Sequence, residues 1–173
     1  MNLILTSCLD TYYKNNEGKK VAHNFGNKNG ILDLVKTLTP KQNNFVFVAS
    51  SPTNYEKTDA YANLMFDSFK FTYPFNNYAV LDARTKDKTK ELIENADLIF
   101  LCGGHVPTQN QFFKEIKLGE IIKNTKALIV GGSAGSMNCA DIVYAQPELE
   151  GESVDASYNK YIKGLGLTKI SIL

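Results

Sequence analysis

The sequence holds little with which to build covalent cross-links or metal centres. Its three cysteines, Cys8, Cys102 and Cys139, are unevenly spaced and make neither a disulfide framework nor a zinc pattern. No apolar run approaches the roughly 18–20 residues needed to cross a bilayer. The chain starts with Asn2-Leu3-Ile4-Leu5 after Met1, without the charged region and long apolar stretch of a signal peptide. Charge of one sign is missing too. Nineteen Lys plus Arg against 18 Asp plus Glu leave a net +1, so no electrostatic footprint of nucleic-acid binding is visible. Arginine occurs once, and Arg84 is therefore the sole candidate for a bidentate carboxylate clamp. Histidine occurs twice, at His23 and His105. What remains is ordinary globular composition, 43% hydrophobic and 21% charged over 173 residues, enough for one domain with its own core. The expectation is a cytoplasmic, single-domain protein with free thiols and with neither membrane nor nucleic acid as partner.

Short apolar runs punctuate the chain at Leu3–Leu5, Phe45–Ala49, Tyr78–Leu81, Leu98–Leu101, Ala127–Val130 and Ile170–Leu173. They are mostly continuous rather than alternating, as expected of strands covered on both faces. Stretches with helical spacing separate them. Ile31, Leu34, Val35 and Leu38 make one apolar face that Pro40 stops, and Tyr61, Leu64, Met65 and Phe69 make a second. Leu92, Ile93 and Ala96 make a third behind a Thr85 cap; Phe112, Phe113 and Ile116 begin a fourth that Gly119 interrupts before Ile121 and Ile122. Alternating strands and helices predict an α/β fold: a doubly wound, mostly parallel sheet with helices on both faces. Ligands of such sheets sit beyond the carboxyl ends of the strands. The residues leaving those ends are Thr6-Ser7-Cys8, Ser50-Ser51, Asp82, Gly103-Gly104-His105 and Gly131-Gly132-Ser133.

Gly131-Gly132-Ser133-Ala134-Gly135 follows the run Ala127–Val130 and matches the G-x-S-x-G nucleophile elbow. A strand turning sharply into a helix strains its apex residue, and small neighbours avoid clashes there. Ser133 would then present its hydroxyl at a helix start, where the Ala134 N–H and the helix dipole face a developing oxyanion. Gly103-Gly104 can bring a second backbone donor close, with no Cβ in the way. The plainer alternative is that both glycine pairs only make tight turns. An α/β-hydrolase would need its acid and histidine after the serine, yet only 38 residues follow Gly135 and none is histidine. A phosphate-binding loop would need a lysine that does not follow these glycines.

Val130-Gly131-Gly132-Ser133-Ala134-Gly135-Ser136-Met137 is similar to the nucleophile turn of the peptidase E family, the alpha-aspartyl dipeptidases and their cyanophycinase relatives. Leu101-Cys102-Gly103-Gly104-His105-Val106-Pro107-Thr108-Gln109-Asn110 resembles that family's glycine-rich oxyanion loop, and the likeness extends through Tyr144–Gly151 and Gly164–Leu167. The resemblance implies a class I glutamine amidotransferase-like fold and serine-dependent cleavage of small peptides, dipeptidase-like with an acidic preference, without metal or cofactor. It makes Ser133 the nucleophile, Gly104 and Ala134 the oxyanion donors, and Gly103 and His105 neighbours of the substrate pocket. In that family the catalytic histidine follows directly after the strand matching Ile170–Leu173, and the sequence stops at Leu173. It therefore reads as a single domain over residues 1–173 without the family's C-terminal part, whose last strand end would invite a homodimer contact. An amidotransferase proper would carry cysteine at the elbow. The alternative class is a non-catalytic binding or regulatory module on the same fold.

The other chemistry-bearing side chains have plainer expected roles. His105 is expected to shape the pocket or donate to substrate rather than act as base, and His23 to sit in a solvated loop. Glu148 and Glu150 follow the elbow helix and are in reach of a pocket rim, although such loops are commonly just solvated. Asp141 reads as a surface charge, Arg84 as a loop residue after the third strand. Cys102 and Cys139 read as buried small hydrophobes.

Overall fold

The computed structural model describes residues 1–172. A strand β1 (Asn2–Thr6) opens the chain, followed by a hairpin of β2 (Tyr12–Lys14) and β3 (Lys20–Ala22). Then come α1 (Ile31–Leu38), β4 (Asn44–Val48), α2 (Tyr55–Thr72), β5 (Asn77–Leu81) and α3 (Thr89–Glu94). The second half holds β6 (Leu98–Leu101), α4 (Val106–Glu115), α5 (Leu118–Ile121), β7 (Leu128–Gly132) and α6 (Ala134–Met137). A second small hairpin pairs β8 (Ile142–Tyr144) with β9 (Tyr161–Lys163).

Five of the strands make one wholly parallel sheet in the order β1-β7-β6-β4-β5. Side chains of a strand alternate between the two faces. Phe45, Phe47, Leu98, Phe100, Leu128 and Val130 pack with Val35 of α1 and Met65 and Phe69 of α2. Val46, Val48, Ile99, Leu101 and Ile129 pack on the other side with Ile93 of α3, Phe112 and Phe113 of α4, and Leu118 of α5. Both faces are covered, which is why the strand runs are continuously apolar. The doubly wound α/β expectation is met.

The direction of winding changes between β4 and β6. The chain leaves β4 for β5 on one side, whereas it leaves β6 for β7 on the other. Neighbouring strands whose connections diverge open a crevice at their carboxyl ends. Here that crevice lies between Ser50-Ser51 after β4 and Cys102-Gly103 after β6.

Three local expectations need correction. Thr85 caps no helix with its side chain. Its hydroxyl donates to Val80 O at 2.8 Å and accepts from the Asp82 N–H, closing the turn after β5. The break in the fourth helical stretch falls at Lys117, held at φ 50°, while Gly119 lies inside α5. Residues 170–172 form no strand, and Leu173 lies outside the described residues. The tail instead follows the segment after the elbow: Thr168 bridges Ala140, and the Ser171 hydroxyl donates to Ile142 O at 3.0 Å. Its backbone partners are on that segment, so it adds nothing to the main sheet. Among the described residues, no helix is long and apolar enough to cross a membrane.

Candidate active site

β7 runs into α6 through a single residue, Ser133, whose backbone stands at φ 49° and ψ −117°. This is a conformation that suits glycine, and Ser133 and Lys117 are the two described non-glycine residues at positive φ. The turn is held from three sides. The Ser133 N–H donates to Thr6 O at 2.9 Å, and the Met137 N–H returns to Ser133 O. The buried Ser136 hydroxyl accepts from the Thr6 N–H at 3.0 Å and lies 2.7 Å from Gly131 O and 2.8 Å from Thr6 O. Glycine is required at the crossing: a Cβ on Gly135 would overlap the Leu101 carbonyl. The Ser133 side chain is exposed, and its hydroxyl makes no hydrogen bond to any described residue.

The second glycine turn leaves β6 alongside. A Cβ on Gly103 would stand 3.0 Å from the Ser133 Cβ, and one on Gly104 would overlap the Ser50 side chain. Glycine therefore lets this loop pass close against the elbow. The Ser50 hydroxyl fixes the loop by donating to Gly103 O at 2.7 Å. Neither the Gly104 nor the Ala134 N–H has an acceptor among the described residues. An oxyanion requires free backbone donors of this kind close to the attacking hydroxyl.

Beneath the loop lies a chain of buried side-chain amides. Gln109 Nε2 donates to Cys102 O at 2.5 Å, and Gln109 Oε1 accepts from Asn138 Nδ2 at 3.0 Å. Asn138 Nδ2 also reaches Val106 O, while Asn138 Oδ1 accepts from Asn110 Nδ2 at 3.0 Å. Asn110 Nδ2 ends the chain on Lys163 O in β9. The loop, α4, the residue after α6 and the second hairpin are thus joined by amides whose partners are all internal.

A cavity of about 380 Å³ opens beside Ser133 and Gly132, at the crevice the topology predicts. Gly103 and Ser50 form part of its wall, Tyr12 and Tyr61 another part, and Cys8 at the exit of β1 also lines it. Its charged lining is Lys20 and Lys57, with no carboxylate. Gly104, Ala134 and His105 are not among the lining residues.

His105 begins α4 as its N-cap, with Nδ1 2.8 Å from the Thr108 hydroxyl. Its Nε2 lies 3.0 Å from Glu152 Oε1, a close ionic contact but one without hydrogen-bond alignment. Glu152 is itself held by the N–H groups of Leu149 and Glu148, which together with His105 keep its carboxyl below the ordinary range against the opposing effect of burial. Glu148 and Glu150 are exposed and line no part of the cavity. His23, half-buried rather than in a solvated loop, places Nε2 3.0 Å from Asp10 Oδ1. Arg84 does clamp carboxylates, those of its own chain: Asp59 and the fully buried Asp82. Those hydrogen bonds raise its basicity further. Burial pushes the thiols of Cys102 and Cys139 up to about 12, so both remain protonated and unreactive.

Several contributors to the site escaped the sequence reading. Tyr12 and Lys20 come from the first hairpin, whose signal was the turn Asn15-Asn16-Glu17-Gly18 between two short β-prone segments. Lys57 and Tyr61 come from α2, where Tyr61 read only as part of a core face. The roles of Ser136 and Glu152 left no local signal.

The sequence model of peptidase family S51 matches residues 18–173. The chain belongs to peptidase family S51. Among solved structures it resembles the 1.5 Å crystal structure of a "Putative Peptidase E Protein" from Listeria monocytogenes EGD-e, at 18% identity and a TM-score of 0.65. That likeness covers 99% of this chain and 77% of the other, and at this identity it speaks for the fold. A comparison with curated proteins finds no match. The peptidase E resemblance read from the two glycine turns is thereby borne out at the level of family and fold. Membership of S51 supports a peptidase-like function, and Tyr12 lies ahead of the matched range.

Proposed function

We propose that this S51 member is a serine-type hydrolase of small peptides, of dipeptide size and with a preference for an acidic residue. The observation that carries this reading is Ser133: an exposed hydroxyl on a strained strand-to-helix apex, beside two N–H groups that have no internal acceptor. In the proposed reaction the Ser133 oxygen attacks the scissile carbonyl carbon, and the carbonyl oxygen becomes an oxyanion held by the Gly104 and Ala134 N–H groups. The C–N bond then breaks, the amine leaves with a proton, and water releases the acyl group from Ser133. A cavity of about 380 Å³ suits a ligand of a few residues and not a folded chain.

The serine proton needs a base, and neither His23 nor His105 lines the cavity or hydrogen-bonds Ser133. That observation favours a second reading, a peptide-binding module that keeps the elbow as structure. One experiment separates the two. The chain is treated with a fluorophosphonate probe, the adduct is mapped by mass spectrometry, and hydrolysis of an acidic dipeptide is followed in parallel. The hydrolase reading expects an adduct on Ser133, absent in Ser133→Ala, with turnover about a thousandfold or more below that of a complete triad. Peptide binding with no adduct supports the binding module. Hydrolysis that survives Ser133→Ala refutes the nucleophile assignment.

A further inference from the structure

A second cavity, of about 310 Å³, opens where the end of α4, α5 and β9 meet, and it shares no lining residue with the cavity beside Ser133. Four lysines line it: Lys114 from α4, Lys117 from the turn before α5, Lys123 from the turn after α5, and Lys163 from β9. Glu120 is the one carboxylate among them. In a chain of net charge +1 this is a local concentration of positive charge. Among the described residues none of the four lysines is in an ion pair. Glu115, beside Lys114 in the chain, pairs with Lys86 instead. The base of the cavity points to a ligand independently. Asn110 lines it while only 4% exposed. Its Nδ2 donates to Asn138 Oδ1 and Lys163 O, at 3.0 and 2.9 Å, which fixes the orientation of the amide. Its Oδ1 accepts from no described residue. Unlike the hydroxyls of Thr11, Thr39 and Ser68, which are sealed from solvent without a partner, this oxygen stays accessible. It is a preoriented acceptor, almost enclosed by the fold, with its lone pairs unused.

We infer that this cavity binds a small phosphate monoester that carries a free hydroxyl, its phosphate oxygens accepting from the lysine ammonium groups and its hydroxyl donating to Asn110 Oδ1. Lysines arriving from separate elements act as point charges, and a phosphate group offers them about two negative charges and three acceptor oxygens. A carboxylate would engage fewer of them. Asn110 is the preorganised member, so little freedom is lost when the hydroxyl docks on it. A phosphate ester without a hydroxyl would cover Asn110 Oδ1 and leave it unpaired, so the site discriminates by rejection as well as by attraction. Phe113 and Leu165 face the carbon skeleton from the same cavity wall. The site belongs to α4, α5 and the second hairpin, and it does not depend on the hydrolase reading.

Calorimetric titration tests this with three probes: glycerol 1-phosphate, propyl phosphate, which has the same carbon skeleton without hydroxyls, and glycerol, which has no phosphate. Glycerol 1-phosphate is expected to bind at least about tenfold more tightly than either of the others, with its affinity falling as salt is raised. Lys114→Gln combined with Lys163→Gln should weaken it at least about tenfold, whereas Lys114→Arg combined with Lys163→Arg should keep most of it. Both side chains are exposed, so these variants leave the core untouched. Lys20→Gln combined with Lys57→Gln, in the cavity beside Ser133, should leave the affinity unchanged. The tighter of glucose 6-phosphate and AMP then tells a sugar phosphate from a nucleotide as the source of the ester, and either result supports the site. Equal binding of glycerol 1-phosphate and propyl phosphate overturns the inference, as does no binding at millimolar concentration. So does an affinity that survives the Lys114 and Lys163 glutamine pair or is lost in the Lys20 and Lys57 pair.

Discussion

Replacing Ser133 by glycine should make the protein more stable than replacing it by alanine. Both substitutions remove the hydroxyl, which makes no internal hydrogen bond, from an exposed side chain, so its loss costs the fold little in either variant. They differ in the backbone. At φ 49° and ψ −117° a residue with a Cβ is strained by about 1–3 kcal/mol, and glycine is not. Against this, glycine has more conformational freedom to lose on folding, about 0.5–1 kcal/mol relative to alanine. The difference is about 1 kcal/mol in favour of Ser133→Gly, or about 2–4 °C in Tm for a chain of this size. Urea unfolding of the two variants followed by circular dichroism reads it directly, provided the m-values agree. Ser133→Ala should match the parent, and Ser133→Gly should unfold at higher urea. A glycine variant no more stable than the alanine variant would mean that the apex stores no strain. The elbow would then be an unremarkable turn, and its geometry would no longer single out Ser133.

Two further outcomes follow from neighbouring contacts. Ser136→Ala should destabilise the protein by about 1–3 kcal/mol, because the Thr6 N–H loses its acceptor in the join between β1 and the elbow; urea unfolding measures it, and a change under about 0.5 kcal/mol would show that water or a shifted backbone replaces the bond. The Glu152 carboxyl is held below its ordinary value of 4.5 by the N–H groups of Leu149 and Glu148 and by His105, so its stabilising effect is present above that value and is lost as pH falls through the lower folded-state value. The protection factors of the Glu148 and Leu149 amides, taken relative to the intrinsic exchange rate at each pH, should therefore fall on acidification in the parent, whereas Glu152→Gln should show no such acid limb.

Much of the fold could be read in the sequence because the central strands are covered on both faces. Phe45–Val48 and Leu98–Leu101 are apolar at every position since alternate residues serve opposite cores, and such runs stand out without any partner being known. The elbow was legible for a related reason. Where backbone passes backbone, as at Gly135 against Leu101, only glycine fits, and a contact distant in sequence leaves a mark at its own position. The rest of the cavity left no such mark. Lys20, Lys57 and Tyr61 are unexceptional on a hairpin and a helix, and they converge only once β4 and β6 diverge in their connections. Glycine is the usual helix breaker, so the sequence points to Gly119, two residues past Lys117, which adopts the left-handed turn. Glu152 could not be foreseen, since its partner His105 lies 47 positions earlier in another strand's exit.

The amide chain Gln109–Asn138–Asn110 explains how two separate strand exits act as one site. The glycine loop after β6 and the elbow leave adjacent strands, but the sheet's hydrogen bonds between those strands stop at Leu101 and Gly131. Beyond that point nothing in the β-ladder fixes the distance between the Gly104 and Ala134 N–H groups, and an oxyanion hole depends on that distance. Gln109 carries the join: it grips Cys102 O, immediately before the glycines, and accepts from Asn138, immediately after α6. Asn138 is fully buried, so an unpaired amide there would be costly, and the pairing therefore selects one relative placement of loop and elbow. A hydrophobic contact of the same area would tolerate sliding by a fraction of an ångström; a buried amide with directional partners does not. The relative placement of the loop and the elbow is thus set from below by buried side chains, while the Ser133 hydroxyl above makes no hydrogen bond to any described residue.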